Sequence, residues 1–112
     1  MSGTDGDPKV AAAPAPPLTG KQRRHLRALG HHLHAVVQIG HEGITPALIG
    51  QARAQLEAHE LIKVKVSEAA PEDRHLAAET LSRETGAALA QVLGRTFLLY
   101  RKRATHPAIV LP

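Results

Sequence analysis

The chain of 112 residues has no cysteine, which removes disulfide frameworks, thiolate zinc sites, iron–sulfur clusters and cysteine nucleophiles together. That absence fits a reducing compartment, and a cytoplasmic location is the expectation. Phe97 and Tyr100 are the only aromatic residues and tryptophan is missing, so no surface of several stacked rings can be built. No apolar run approaches the roughly 20 residues of a membrane-spanning helix, and no membrane association is expected. The first residues carry acids before any base and are broken by prolines, unlike a secretion signal.

Basic residues are plentiful: fourteen Lys and Arg face ten Asp and Glu, for a formal net charge of +4. Residues 1–17, rich in proline and alanine, read as a disordered tail ahead of one domain over residues 18–112. Hydrophobic residues make up 43% of the chain, enough for that domain to bury a core.

Within the domain, Thr19 is a predicted N-cap for a first helix that buries Leu26, Leu29 and Leu33 and spreads Lys21, Arg23, Arg24 and Arg27 over its other sides. Gly30 should weaken its end. Residues 35–40 read as a β-branched strand, and Thr45 with Pro46 opens a second helix facing inward through Leu48, Ile49, Ala52 and Leu56. Residues 61–68 alternate, with Ile62, Val64 and Val66 on one face and Lys63, Lys65 and Ser67 on the other. A third helix is predicted over 71–86, with Leu76, Ala77, Thr80 and Leu81 inward and Gly86 as its stop. Two last strands, 88–93 and 96–101, turn at Gly94 and Arg95, and a short added strand is expected at 108–111. The α-β-α-β-α-β-β order implies an α/β (α+β) sandwich: a mixed four-stranded sheet packed with three helices. The first helix is free to take the sheet face opposite the other two.

The sharpest local motif is Gly40-His41-Glu42-Gly43, a glycine-bracketed turn between a strand and a capped helix. Such a turn can present backbone N–H groups to a phosphate beside the positive end of a helix dipole. Glu42 sets a negative charge inside it, which His41 offsets in part. Lys63 and Lys65 share one strand face, and Arg95, Arg101, Lys102 and Arg103 add to the regional excess. Surfaces of this kind attract phosphate-rich partners in a salt-dependent way. His25, His31, His32 and His34 lack metal-ligand spacing, and no nucleophile elbow or P-loop occurs. No metal, cofactor, small-molecule substrate or catalytic residue is expected.

Several runs together resemble the bacterial YhbY family of stand-alone CRM (chloroplast RNA splicing and ribosome maturation) domains. They are LTGKQRRHLRALGHHL, VVQIGHEGIT, LEAHELIKVKV, RETGA, VLGRTFLLYR and the closing IVLP. The resemblance implies a fold similar to the C-terminal domain of translation initiation factor three. It also implies a Gly-x-x-Gly loop that meets RNA as the equivalent loop does in KH domains. Bacterial members associate with precursors of the large ribosomal subunit, and plant relatives assist intron splicing. Carried onto this chain, the loop is Gly40, His41, Glu42 and Gly43, with Lys63, Lys65, Arg95 and Arg101 nearby; Lys21 and Arg24 join them from the basic first helix. The expected activity is a monomeric, non-enzymatic binder of ribosomal RNA in assembling large subunits. Gly43→Asp is expected to weaken that binding and leave the fold intact. Two alternatives are a DNA-binding protein using the first helix and a protein-interaction module in assembly particles.

Overall fold

The computed structural model describes residues 15–112; the predicted tail falls largely on residues outside that range. Seven elements follow in order: α1 (Gly20–Gly30), β1 (Ala35–Ile39), α2 (Pro46–His59), β2 (Leu61–Val66), α3 (Arg74–Thr85), β3 (Ala88–Leu93) and β4 (Thr96–Tyr100). This is the predicted order, and the helices and mixed sheet form an α+β fold. The strands lie side by side as β1-β2-β4-β3. β1 and β2 are parallel across α2, while β4 inserts between β2 and β3 and runs antiparallel to both.

The sheet is covered on both faces. Ile62, Val64, Val66, Phe97 and Leu99 meet α2 and α3 through Ala52, Leu56, Ala77, Ala78 and Leu81. Leu61, Leu98 and Tyr100 point the other way and meet Leu26 of α1. Two-sided covering explains why four successive residues of β4, from Phe97 to Tyr100, are all buried. The first helix therefore does occupy the face opposite the other two.

Capping fixes the helix starts. Thr19 Oγ1 accepts from Gln22 N at 3.0 Å and Gln22 Oε1 accepts from Thr19 N at 3.1 Å, a reciprocal capping box. Asp73 Oδ1 accepts from Leu76 N at 2.9 Å, so α3 opens at Arg74 and not at Pro71. The apolar buried face of α3 is Ala77, Ala78 and Leu81, with Leu76 exposed and Thr80 half-buried, because the helix meets the sheet along that stripe. α1 stops at Gly30, so Leu33 packs from the following turn and Leu29 remains 42% exposed. Gly30 is more than a weak helix end: a Cβ there would stand 2.5 Å from Leu98 Cδ1, and the helix can lie this close to the sheet only without one.

β2 ends at Val66, which leaves Ser67 in the following turn, and β4 ends at Tyr100. Residues 108–111 form no strand. The N–H groups of Ala108 and Ile109 donate instead to Glu60 Oε1, at 2.7 and 2.8 Å, so a side chain takes the place of a sheet partner.

Candidate nucleic-acid interface

β1 delivers the chain into the glycine-bracketed turn. Gly43 N donates to Gly40 O at 2.9 Å and closes it. The two glycines differ in role. Gly43 is buried with φ +74°, and a Cβ there would stand 2.9 Å from Glu72 Oε1 and 3.0 Å from Pro71 Cγ. Gly40 has open space where a Cβ would stand. Gly43 is therefore demanded by the fold, while Gly40 keeps an approach clear. The expectation that Gly43→Asp spares the fold does not survive this geometry, because the new carboxylate would be driven onto that of Glu72.

Glu72 Oε2 also accepts from Ile44 N at 3.5 Å, and Thr45 Oγ1 accepts from Leu48 N at 3.1 Å to cap α2. With Gly43 N–H and Ile44 N–H so engaged, the amides left for a ligand are those at the exposed tip, His41 and Glu42. The concavity beside the turn, about 310 Å³, is lined by Gln38, Gly40, His41, Gly43, Leu48 and Gln51, with Glu42 as its one acid.

The sheet ties this turn to the lysines. Gln38 pairs with Lys65, Lys65 with Thr96, and Thr96 with Leu93. These four side chains form one row across all four strands, on the face that α1 shares. α1 crosses that face only in part. Beyond it a trough of about 350 Å³ remains, lined by Arg24, Arg27, His31, Lys63, Gln91 and Thr96, with no acidic side chain. Glu68, Glu72 and Asp73 border a separate concavity, together with Arg74, His75 and Arg95. Asp73 is held below the usual carboxylate range by its hydrogen bond from Leu76 N.

The sequence-derived set is thus partly assembled. Gly40, His41, Glu42 and Gly43 form the turn after β1, Lys65 stands one strand away opposite Gln38, and Lys63 and Arg24 line the trough farther along the same sheet face. Lys21 is exposed in the first turn of α1, ahead of the trough. Arg95 lies at the same end of the sheet as the residue 40–43 turn, in the β3–β4 turn, but its guanidinium is 3.9 Å from the Glu68 carboxylate, an exposed ion pair. Arg101 is at the opposite end, where its N–H donates to Glu60 O at 2.8 Å. Arg27, His31 and the uncharged floor of Gln38, Gln91 and Thr96 enter the site only through pairing and packing that spacing does not disclose. Among the described residues, no group of three or more His, Asp or Glu is placed to hold a metal ion, and no helix is long and apolar enough to cross a membrane.

Glu60, which sequence periodicity leaves unremarked, is fully buried at φ 65°. Besides Ala108 and Ile109, Arg103 N donates to its carboxylate, at 2.9 Å. Burial pushes the Glu60 pKa up, but the three N–H donors and the nearby Arg103 charge outweigh it and hold the group below its ordinary 4.5. The clamp straps residues 103–109 down, and Ile109 and Leu111 then pack on the α1 side of the core. Burial and the Glu60 charge together raise the Tyr100 pKa.

A sheet carrying one helix on one face and two on the other, with an acid-free cationic trough beside a glycine-bracketed turn, defines a small α+β module suited to polyanions. The chain belongs to the CRS1/YhbY (CRM) domain family, whose model matches residues 18–101. It is 41% identical over 95 residues to the Bacillus subtilis "Probable RNA-binding protein YqeI", covering 85% of this chain and 99% of that one. A Haemophilus influenzae protein named "RNA-binding protein" is 42% identical over 84 residues, 75% of this chain and 85% of its own. The solution structure of a Staphylococcus aureus protein, described there as a candidate RNA binder, superposes with a TM-score of 0.73 at 43% identity. That match covers 85% of this chain and 99% of the other.

Proposed function

We propose that this protein binds ribosomal RNA in precursors of the large ribosomal subunit and assists their assembly in the cytoplasm, as a monomer and without catalysis. Family membership and the names of its relatives support RNA as the partner. The observation that carries the site is the Gln38–Lys65–Thr96 row, which joins the turn at residues 40–43 to the trough of Arg24, Arg27 and Lys63. Phosphates are held by lysine, arginine and the loop-tip amides, and the folded shape of the RNA decides where those phosphates stand. Both aromatic rings are buried, so base stacking on Phe or Tyr has no part in it.

The helix-turn-helix route to DNA has no support in the topology, because α1 is followed by β1 where a second helix would be needed. Co-sedimentation of the full chain with large-subunit precursors, before and after RNase treatment, tests the proposal. Loss of association on RNase treatment is expected. Association that survives RNase would favour a protein-interaction module. With four to six phosphates engaged, the log–log salt dependence of RNA affinity has a slope of about −3 to −5.

A further inference from the structure

The open half of the α1-side sheet face has a chemistry that phosphate binding alone does not use. Its rim is cationic, with Arg24, Arg27 and Lys63. Its floor is mixed: Gln91 and Thr96 carry amide and hydroxyl groups, Leu93 ends the row 63% exposed, and Gln38 continues the row toward the residue 40–43 turn. Val36 sits at the irregularity of β1 between Ala35 and Val37 and is 39% exposed. A double helix offers a protein chiefly phosphates and sugars, for which exposed leucine and valine have no use. Unpaired bases offer apolar faces and hydrogen-bonding edges, which match leucine or valine and glutamine or threonine respectively.

We propose that this open sheet face takes a short unpaired RNA segment. The cationic rim and the residue 40–43 turn hold its phosphates while the floor contacts the bases. Gln91 and Thr96 discriminate among base edges. Thr96 Oγ1 donates to Leu93 O at 2.9 Å, so its proton is engaged and its two lone pairs are left to accept from a base N–H. Gln91 offers both a donor and an acceptor. The absence of acids from the trough favours a nucleic-acid strand over a basic peptide. This inference rests on the RNA-binding reading and specifies which form of RNA the site takes.

The test uses the full chain and fluorescent eight-nucleotide RNAs at one salt concentration. A8, C8 and U8 are titrated singly, then a mixed-sequence octamer is compared with the same octamer annealed to its complement. The unpaired octamer is expected to bind about tenfold tighter than the duplex. Gln91→Ala combined with Thr96→Ala is expected to reduce the spread of affinities among A8, C8 and U8 by about three- to tenfold. The slope against salt should be unchanged, because no charge is removed. Equal affinity for the duplex, or an unaltered spread in the double variant, overturns the inference. If the wild-type chain binds duplex RNA but no single strand, the inference fails while RNA binding stands. If it binds no RNA of either kind, the RNA-binding reading fails with it.

Discussion

Gln38 and Lys65 stand opposite each other in the parallel register of β1 and β2, so the lysine shares a sheet face with a side chain that borders the residue 40–43 turn. The relationship joins a loop feature to a strand feature that sequence can only name separately. Its functional meaning depends on charge. The trough it leads into has no acid, whereas a separate concavity mixes Glu68, Glu72 and Asp73 with Arg74 and Arg95.

Reversing the strand charges tests that arrangement. Lys63→Glu with Lys65→Glu should lower RNA affinity at least tenfold and reduce the magnitude of the salt slope by about 2, as two phosphate contacts are lost. Both side chains lie outside the two apolar clusters, so thermal stability should change little. Fluorescence titrations at several salt concentrations, with a thermal melt of each variant, check both halves.

The two glycines of the turn should separate folding from binding. Gly43→Ala forces a Cβ into a left-handed backbone against Glu72 and Pro71, and is expected to cost about 1–3 kcal/mol in urea unfolding. Gly40→Ala meets open space and should unfold like the wild type, yet weaken RNA binding by narrowing the approach to the loop-tip amides.

Gly30 offers a sign test. By helix propensity alone, alanine should stabilise the end of α1 by up to about 1 kcal/mol. The 2.5 Å approach to the buried Leu98 predicts the reverse, a net loss of about 1–3 kcal/mol. Urea denaturation of Gly30→Ala decides which effect wins. The cost should shrink in a Leu98→Ala background, because the two positions share one space.

Glu60 should make stability depend on pH in a defined direction. Its folded-state pKa lies below the ordinary 4.5, so its contribution is complete above that value and is lost as pH falls through the folded-state pKa. Glu60→Gln should therefore cost about 2 kcal/mol near neutrality, by weakening charge-assisted bonds to the N–H groups of Arg103, Ala108 and Ile109. The gap between variant and wild type should close on acidification. Thermal melts of both proteins from pH 7 to pH 3 measure it.

Element order and type were legible in the sequence because local chemistry specifies them. Thr45 with Pro46 starts α2 where expected, the alternation of β2 sorts Val64 from Lys63 and Lys65, and Gly86 ends α3 at φ 71°. Errors fell where a side chain or tertiary contact outranked the local pattern. Asp73 captured the start of α3, and Glu60 supplied the acceptors that a strand at 108–111 would have found in a neighbouring strand. The glycine turn and the lysine pair were visible as motifs. Their connection through Gln38 was not, because register between β1 and β2 is set by strands 27 residues apart at that pair. The same limit hid the separation of Arg101 from the loop and the pairing of Arg95 with Glu68.

The account turns on one surface formed by two chain segments, and an NMR titration of the full chain with unpaired RNA tests it most directly. The amide signals of His41, Glu42 and Lys65 are expected to shift together, following one binding curve, while those of Arg101 and His106 stay in place. Shifts confined to the Arg101 end, or separate binding curves for the turn and for Lys65, would contradict it.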